Sequence, residues 1–358
     1  MSMAKHRHIL VTGAAGFIGS NFVRIALENN YYVTGLDSLT YAGRRSTIDH
    51  LKRNEKFRFC KDDIGNKNLI SSVLSNGHPT ELCGVINFAA ETHVDRSIEG
   101  PKLFYDTNVL GTYNLIHSLI KSDICSQDFR FVHISTDEVF GSIREGEFDE
   151  NSPYKPNSPY AASKAAADHI VRASAYTFNF PAIVTNCSNN FGPFQFPEKL
   201  VPITIIRALQ NKNLQIFGDG LQVRDWLYVD DHCDAILRVF ESGMINETYL
   251  IGAGNQKANI SIVETICDIL QELEPPVGVH SYRELIAFVA DRPGHDRRYA
   301  VNSSKIKTEL GWEPKTSFEN GLKQTVRWYL SNTSWWNEIY RETYNLERLG
   351  NNTKNWLD

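Results

Sequence analysis

Two neighbouring acids stand out because they directly follow an apolar run that ends in a threonine. The segment HISTDEVFG covers residues 133–141, and its acids are Asp137 and Glu138. The end of a strand needs no carboxylate for its own stability. Two carboxyl groups in different environments can act as a general acid and a general base. The pair is therefore a candidate for proton-transfer chemistry, and the alternative is a solvated loop.

A tyrosine and a lysine follow at a spacing that places both on one helix face. Tyr160 and Lys164 lie in PYAASKAAADHI, where Pro159 and the alanines favour a helix that begins here. A nearby ammonium, together with the positive end of a nicotinamide, would lower the pKa of the phenol. The phenolate could then accept a proton from a sugar hydroxyl while a hydride leaves the same carbon. Most such pairs are exposed helix faces, so this one depends on its context.

Glycines near the N-terminus predict the site that would supply a nicotinamide. TGAAGFIGS places Gly13, Gly16 and Gly19 between an apolar strand and a helix. These glycines permit a tight turn, close approach of the backbone to a pyrophosphate, and close packing of helix on strand. The free N–H groups of the helix N-terminus favour negative charge. Asp37 ends the next strand, where its carboxylate would bind a ribose diol and repel a 2′-phosphate, which favours NAD over NADP.

Alternating strands and helices must position these groups. Six apolar runs are predicted strands: 8–13, 31–37, 57–63, 84–90, 129–136 and 183–189. Their near-continuous hydrophobicity favours a parallel sheet that is buried on both faces. We therefore expect an α/β fold, a Rossmann-type doubly wound parallel sheet with a smaller, mostly C-terminal substrate-binding portion. The expected division is a NAD-binding domain over residues 1–190 and a substrate-binding portion over 191–358, with some strands returning to the main domain.

Composition argues against several classes of protein. With 358 residues and a net charge of -5, the chain has no general attraction for nucleic acid or anionic lipid. No apolar run approaches the roughly 18 residues of a spanning helix, and we expect no signal peptide. Six cysteines occur singly, which favours free thiols and a cytoplasmic location. His93 and Asp95 lack a third ligand at suitable spacing, so we expect no metal.

Several longer segments resemble those of one family. They are FAAETHVDRSI, STDEVFG, SPYAASKAAAD, TNCSNNFGP, FPEKLVP, VRDWLYVDDH and DRPGHDRRYA. With the glycine loop they resemble the extended short-chain dehydrogenase/reductases that act on nucleotide sugars, and most closely the dTDP-glucose 4,6-dehydratases, from about residue 8 to 336. In related epimerases the positions after the Thr or Ser carry small, non-acidic residues. The dehydratases carry Asp-Glu there, as this chain does.

The resemblance implies a lyase that converts dTDP-glucose to dTDP-4-keto-6-deoxyglucose and water. NAD would transiently oxidise C4, water would be eliminated across C5 and C6, and the hydride would return to C6. Our hypothesis assigns Glu138 as the base at C5 and protonated Asp137 as the acid at the C6 hydroxyl. The implied catalytic residues are Thr136, Asp137, Glu138, Tyr160 and Lys164.

The resemblance also implies two sets of binding residues. For NAD they are Gly13, Gly16, Phe17, Ile18, Gly19, Asp37, Ser38, Leu39, Thr40, Asp63, Ile64, Ala89, Ala90, Thr107, Tyr160, Lys164 and Asn190. For the nucleotide sugar they are Thr92, Thr136, Asn189, Lys199, Leu200, Arg224, Asn259, Arg292 and His295. A diphosphate requires positive charge and fork-shaped donors, which Arg224 and Arg292 provide. His295 could equally be a structural histidine.

Other functions remain open at this point. A UDP-glucose 4,6-dehydratase would share the catalytic groups, and nothing in the residues separates thymine from uracil. The Asp-Glu pair argues against an epimerase or a decarboxylase of the same fold. A non-catalytic NAD-sensing regulator would be expected to lose Tyr160 or Lys164, and both are present. The resemblance finally implies a homodimer in which helices around Lys102–Lys121 and Tyr160–Tyr176 form a shared four-helix bundle.

Overall fold

The computed structural model describes residues 7–75, 81–126, 128–342, 344 and 346. Residues 1–6, at the start of the expected NAD-binding domain, and residues 347–358, at the end of the expected substrate-binding portion, lie outside the described residues. The prediction that the N-terminus carries no signal peptide falls mostly on residues 1–6 and thus also lies outside the described residues. The strands are β1 (His8–Thr12), β2 (Tyr32–Asp37), β3 (Phe57–Lys61), β4 (Leu82–Asn87), β5 (Arg130–Thr136), β6 (Ala182–Cys187), β7 (Asn189–Phe191), β8 (Leu214–Phe217), β9 (Val223–Tyr228), β10 (Thr248–Ile251), β11 (Gln256–Ala258) and β12 (Ile286–Val289).

Helices separate most of these strands. They are α1 (Phe17–Glu28), α2 (Arg45–Ile48), α3 (Leu69–Ser75), α4 (Val94–Glu99), α5 (Pro101–Phe104), α6 (Thr112–Lys121), α7 (Pro159–Phe178), α8 (Leu200–Leu209), α9 (Val229–Ser242), α10 (Asn259–Leu273), α11 (Ser304–Leu310), α12 (Phe318–Ser331) and α13 (Thr333–Glu342). A π-helical segment, Tyr105–Gly111, joins α5 to α6. None of the helices in the described part of the chain is long and apolar enough to cross a membrane.

Seven strands form one parallel sheet in the order β3-β2-β1-β4-β5-β6-β10. The chain winds outward from β1 in one direction and from β4 in the other, so the predicted doubly wound α/β fold is confirmed. Each of the six predicted runs overlaps a strand of this sheet, although β4 and β6 begin before the predicted runs 84–90 and 183–189. The seventh strand, β10, was missed by the sequence analysis; its four residues pair with Val184–Cys187 of β6.

The sheet separates two apolar layers. Ile9 and Val11 of β1 pack into a cluster that contains Phe22 of α1 and Phe240 of α9. Leu10, between them, points to the opposite face, into a cluster that contains residues of α6 and α7. Successive side chains of a strand face opposite sides, which is why all five residues of β1 are buried. Burial of each such large aliphatic side chain contributes about 1.5–3 kcal/mol.

A third apolar cluster lies in the C-terminal half of the chain. It joins α8, α10, α12 and α13 to strands of two small sheets, β11-β9-β7 and β12-β8. Phe191, Trp226 and Tyr329 are among its buried side chains. Because β10 returns to the large sheet from beyond residue 190, the two parts share strands. The predicted division of the chain at residues 190 and 191 stays a prediction.

Candidate active site

A cleft of about 350 Å³ opens at the carboxyl edge of the large sheet, where the strand order reverses. Its walls include the segments that follow the first six strands, β1 to β6, together with the start of α7 and the loop before α8. It is lined by most of the predicted site residues, namely Gly13, Gly16, Phe17, Ile18, Gly19, Asp37, Ser38, Thr40, Asp63, Ile64, Ala89, Ala90, Thr92, Thr107, Thr136, Asp137, Glu138, Tyr160, Lys164, Asn189, Asn190 and Lys199. The fold therefore brings the glycine loop, the acid pair and the Tyr-Lys pair to one space.

The glycine loop has the geometry of an anion cradle. Gly13 has φ +65°, and a Cβ at this position would lie 2.8 Å from the backbone nitrogen of Ala89. A Cβ on Gly19 would lie 2.2 Å from the carbonyl oxygen of Gly13. Gly16 is the N-cap of the 12-residue helix α1 and provides no side-chain cap. The N–H groups of the first turn consequently remain available to a negatively charged ligand.

Asp37 is held in place by the backbone at the end of β2. Its Oδ2 accepts a hydrogen bond from the Ala15 N–H at 2.9 Å, and its Oδ1 accepts one from the Leu39 N–H at 2.8 Å. Burial raises the pKa of this carboxyl, although both hydrogen bonds act in the opposite direction. Each oxygen keeps a further lone pair for a ribose hydroxyl. The Leu39 side chain packs against the apolar core, outside the residues that line the cleft.

A buried histidine orients Asn190. Burial lowers the pKa of His232 to about 3, so the ring is neutral. The His232 Nδ1 and the Asn190 Oδ1 are 2.9 Å apart, and the Asn190 Nδ2 donates to the Ser188 carbonyl at 3.0 Å. Since the Asn190 oxygen can only accept, His232 Nδ1 must carry the hydrogen. The sequence analysis missed His232, although it quoted the segment VRDWLYVDDH that contains it.

Tyr160 and Lys164 project from the first turns of α7. The helix begins at Pro159, and the Ser158 Oγ accepts a hydrogen bond from the Ala161 N–H. Both Tyr160 and Lys164 are buried, and the Lys164 Nζ donates to the Ile134 carbonyl at 2.7 Å. Helical spacing thus produces the predicted pair, and the carbonyl of β5 fixes the ammonium.

The pKa of Tyr160 differs from the expectation. We expected Lys164 to lower it, but burial raises the pKa of this phenol well above its usual value, and the charge of Glu138 raises it further. Loss of water and a nearby carboxylate therefore dominate, and Lys164 is not among the main contributions to this pKa. A cationic group bound in the cleft would act in the opposite direction, as the sequence analysis assumed for a nicotinamide.

Asp137 is buried from solvent at the start of the 3₁₀ turn after β5. Thr136 caps this turn, because its Oγ1 accepts a hydrogen bond from the Glu138 N–H at 3.3 Å. Asp137 is 1% exposed, and its Oδ2 has no hydrogen-bond partner among the described residues. Burial raises the pKa of its carboxyl well above the usual range, and Glu138 adds to that effect. Asp137 is thus suited to carry a proton.

Glu138 has a different electrostatic environment. Burial raises the pKa of its carboxyl, whereas three cations lower it: Arg292, Lys199 and Arg224. Asp137 has no comparable set of cations: among the main contributions to its pKa, the charge of Arg224 and a hydrogen bond from Thr136 lower it. The surroundings therefore favour the charged form of Glu138 more than that of Asp137. Two adjacent acids with separated protonation states can divide the roles of acid and base.

Five predicted substrate residues lie outside the residues that line the cleft: Leu200, Arg224, Asn259, Arg292 and His295. The two arginines are nevertheless close enough to act on Glu138. The Arg224 Nη2 donates to the Asp296 carbonyl at 2.8 Å, and its guanidinium lies over the Tyr299 ring at 4.2 Å. The Arg292 Nη1 pairs with Asp95 at 2.9 Å. Both guanidinium groups are thus held in defined orientations beside the acid pair.

The other three residues of this group make structural contacts. Leu200 begins α8 and packs against the C-terminal apolar cluster. Asn259 begins α10, and its N–H donates to the Gln222 carbonyl at 3.0 Å. His295 pairs with Asp291 at 2.6 Å, and burial followed by the charge of Arg292 lowers its pKa to about 4. Their roles toward a nucleotide sugar stay predictions.

His93 and Asp95, for which a metal was considered, contact protein groups. The His93 ring accepts a hydrogen bond from the Arg96 N–H and caps α4, and burial lowers its pKa well below the usual value. Asp95 pairs with Arg292. In the described ranges, no group of three or more His, Cys, Asp or Glu residues is arranged to hold a metal ion.

Two acids of the cleft were missed by the sequence analysis. Glu198 accepts a hydrogen bond from the Tyr41 hydroxyl at 2.9 Å and pairs with the Arg96 Nε at 2.8 Å. Glu91 lies nearby, and burial followed by the charge of Glu198 raises its pKa. Both line the cleft. Glu91 lies in the quoted segment FAAETHVDRSI and Glu198 in FPEKLVP, and their place in these segments was the signal that could have identified them.

Known proteins share both the sequence and this architecture. A family model described as GDP-mannose 4,6 dehydratase matches residues 10–325. A dTDP-glucose 4,6-dehydratase of Xanthomonas campestris pv. campestris is 50% identical over 347 residues, which cover 95% of this chain and 98% of that protein. The chain belongs to the dTDP-glucose 4,6-dehydratase family. The resemblance drawn from the sequence motifs is thereby confirmed.

Solved structures of dTDP-glucose 4,6-dehydratases have the same fold. The Bacillus anthracis dTDP-glucose 4,6-dehydratase in complex with NAD is 43% identical, with a TM-score of 0.81 over 93% of this chain and 99% of that chain. DesIV, the dTDP-glucose 4,6-dehydratase of Streptomyces venezuelae, was solved with NAD and TYD bound. It is 41% identical, with a TM-score of 0.84 over 93% of this chain and 99% of that chain.

We expect Asp137→Asn to stabilise this dehydratase family member more at alkaline than at acidic pH. The pKa of the Asp137 carboxyl is higher in the folded protein than in the unfolded chain. The protonated carboxyl therefore contributes its full stability below the pKa of the unfolded chain, and this contribution is lost as the pH rises through the pKa of the folded protein. The amide cannot ionise and escapes that loss. The gain in Tm, measured by scanning calorimetry at about pH 5 and about pH 8, should be larger by a few degrees at the higher pH. Equal gains would contradict the raised pKa.

Proposed function

We propose that this chain is a NAD-dependent lyase that converts dTDP-glucose to dTDP-4-keto-6-deoxyglucose and water. The observation that carries the proposal is the pair Asp137 and Glu138, which shares one cleft with Tyr160, Lys164 and the glycine loop. Dehydration needs an acid and a base at adjacent carbons in addition to the oxidising pair. An epimerase moves hydrogen at one carbon and has no use for two acids.

The walls of the cleft fit NAD. The uncapped N-terminus of α1 offers N–H groups to a pyrophosphate, and Asp37 offers acceptors to a ribose diol. The Bacillus anthracis and Streptomyces venezuelae relatives were crystallised with NAD. When bound, NAD supplies the chemistry of taking a hydride from C4 of the sugar and returning it to C6.

Three side chains perform the proton transfers, and Lys164 assists one of them. Tyr160, assisted by the charge of Lys164, accepts the proton of the C4 hydroxyl as the C4 hydride leaves. The resulting ketone acidifies the hydrogen at C5, which Glu138 removes. Asp137 donates its proton as the C6–O bond breaks, so that water departs, and Glu138 later returns its proton to C5. The proton gained by Tyr160 balances the one that Asp137 loses.

Three cations support binding of the substrate's diphosphate. Arg224, Arg292 and Lys199 all act electrostatically on Glu138, so they lie around the same end of the cleft. The Nε of Arg292 is buried and has no hydrogen-bond partner among the described residues. A buried donor without a partner is costly, and a phosphate oxygen would satisfy it. The preference for a thymidine over a uridine nucleotide is inferred from the similar proteins, which are dTDP-glucose 4,6-dehydratases.

Turnover assays with two nucleotide sugars test the proposal. Purified protein with NAD should convert dTDP-glucose to a 4-keto sugar, detected by its absorbance after addition of alkali. UDP-glucose should be converted at least about tenfold more slowly, which corresponds to about 1.4 kcal/mol of discrimination. Faster conversion of UDP-glucose would support the alternative dehydratase. NAD binding without any turnover would indicate the non-catalytic regulator.

The role of Glu138 can be separated from the oxidation step. Glu138→Gln should still form reduced nicotinamide with dTDP-glucose, because Tyr160 and Lys164 are intact. It should lose exchange of the C5 hydrogen with solvent deuterium, and dehydration should fall about 10²–10⁴-fold with the loss of the base. Glu145→Gln, at an exposed position, is the matched control and should behave like the wild type. Normal dehydration by Glu138→Gln would refute the assignment.

We also propose that a second copy of this chain covers one apolar face. Large apolar side chains are exposed on the neighbouring helical segments α5 to α7, which overlap the ranges predicted for a shared four-helix bundle: Leu103, Tyr105, Leu110, Tyr113, Tyr176 and Phe178. Tyr176 is 92% exposed. Several exposed apolar side chains on neighbouring helices are typical of a subunit interface.

Charge placed on this face should weaken the proposed dimer. Leu110→Lys puts an ammonium where the partner would pack, so the population should shift toward monomer in light scattering at micromolar concentration. Val277→Lys is the matched control, because Val277 is 82% exposed and lies elsewhere. A monomeric wild type, or an unchanged mass for Leu110→Lys, would contradict the proposal.

Cysteine usage supports a cytoplasmic location, which we propose as well. The six cysteines are free, and Cys187, Cys233 and Cys267 are buried. Unpaired thiols of this number are typical of proteins kept in a reducing compartment.

A further inference from the structure

A buried carboxylate lies one helical turn beyond Lys164 and takes no part in the chemistry described above. Asp168 follows Lys164 by four residues on α7, so the two side chains share one face of the helix. Its side chain is 0% exposed, and the residue is outside the set that lines the cleft. An ionised carboxylate at such a position is costly unless hydrogen bonds and an opposite charge compensate it.

Three neutral donors and a histidine surround Asp168. Its Oδ2 accepts hydrogen bonds from the Ser135 hydroxyl at 2.8 Å and the Tyr154 hydroxyl at 2.8 Å, and from the Asn186 amide at 3.3 Å. Its Oδ1 lies 3.4 Å from the His133 Nε2. These donors come from β5, from β6 and from the loop before α7. The carboxylate therefore ties three elements to the catalytic helix.

The hydrogen-bond chain behind His133 determines its tautomer. The Thr12 hydroxyl donates to the Asn87 Oδ1 at 2.6 Å, so the amide nitrogen of Asn87 faces the His133 Nδ1 at 3.1 Å. That nitrogen can only donate, so Nδ1 accepts and Nε2 carries the hydrogen toward Asp168. Burial lowers the pKa of His133 to about 4, so the ring is neutral.

Among the lysines and arginines, Lys164 makes the main contribution that lowers the pKa of Asp168. The guanidinium of Arg172, the other cation nearby on α7, donates to the Tyr154 hydroxyl at 2.7 Å. Burial lowers the pKa of Lys164, and Asp168 is the largest effect in the opposite direction. Burial would also raise the pKa of Asp168, but His133, Lys164 and Tyr154 together lower it.

The same carboxylate also secures the strand end that carries the acid pair. The Asn186 Nδ2, which donates to Asp168, donates as well to the Thr136 carbonyl at 3.1 Å. Ser135, another donor to Asp168, directly precedes Thr136. Loss of the carboxylate would therefore leave polar groups on both strands without an acceptor.

We propose that Asp168 is a positioning residue for the Tyr160–Lys164 pair: its buried negative charge keeps Lys164 in the ammonium form that Tyr160 requires to accept a proton. This inference rests on the proposed function, because Tyr160 is taken as the base at the C4 hydroxyl. Asp168 touches neither substrate nor cofactor in this account, and the proposed effect on the oxidation step is exerted through Lys164.

Other titratable groups on this side of α7 should not obscure the loss of the Lys164 proton in alkaline solution. The charged and titratable neighbours are His133, Asp137, Glu138, Tyr154, Tyr160, Arg172 and Cys187. Burial raises the pKa of Cys187 to about 12, and burial also raises the pKa of Tyr154. Burial lowers the pKa of Lys164, so among the amine, thiol and phenol groups of this cluster Lys164 is the one that we expect to lose its proton first as the solution becomes alkaline.

The pH dependence of the oxidation step in Asp168→Asn tests the proposal. With dTDP-glucose and NAD, the single-turnover rate of reduced-nicotinamide formation should decline at a lower pH than in the wild type. The alkaline limb of the pH profile, where the rate falls, should shift to lower pH by about one to two pH units, the usual effect of removing a nearby opposite charge. A purely structural role would lower the rate at every pH and leave the position of the limb unchanged.

Tyr154→Phe is the matched control. It removes one hydrogen bond from the same oxygen of Asp168 but keeps the charge, so it should lower Tm without moving the alkaline limb. A folded Asp168→Asn protein with an unshifted limb would overturn the proposal. If the wild type forms no reduced nicotinamide with dTDP-glucose, the proposed function fails instead.

Thermal unfolding tests the charge pairing without any assay of activity. Lys164→Met leaves the Asp168 charge buried and uncompensated, so it should lower Tm strongly. Adding Asp168→Asn removes that charge, so the double variant should melt at a higher temperature than Lys164→Met alone. This comparison also holds if Asp168→Asn by itself folds poorly. A double variant that melts at or below the temperature of Lys164→Met would overturn the proposal.

Discussion

The parallel arrangement of the strands is the constraint on which the site depends. Parallel strands end at the same edge of a sheet, so the residues that follow them meet there however far apart they are in the chain. The turn after β1, Asp37 at the end of β2 and the acid pair after β5 reach one cleft for this reason. The helices on both faces bury the sheet. A single topological rule therefore assembles the glycine loop and the acids.

Exclusion of water then sets the chemistry of the assembled groups. Asp137 and Glu138 are neighbours in the chain, yet one is dry and acts beside a like charge, whereas the other faces three cations. Lys164 is fixed by a carbonyl of β5 and faces the carboxylate of Asp168 on its own helix. Each of these effects is a competition between desolvation and a specific partner, and the partner comes from another part of the fold in most cases.

Much of the fold and of the candidate site followed from the sequence. Six strands of the large sheet were predicted because each is a long, nearly uninterrupted apolar run. β10 was missed because it has four residues and pairs with β6, more than sixty positions away, so no local pattern marks it. His232 and Asp168 were missed for a related reason: a polar residue within a helix gives no sign, in sequence, of the group it will meet in the core.

The sequence by itself determined the features that depend on near neighbours. The spacing of Gly13, Gly16 and Gly19, the four-residue step from Tyr160 to Lys164, and the adjacency of the two acids are local, because backbone geometry alone relates such residues. Only the tertiary structure decided their protonation. Burial and the charge of Glu138 raise the pKa of Tyr160, contrary to the expectation from Lys164, because desolvation depends on what surrounds a group in space and not on what precedes it in the chain.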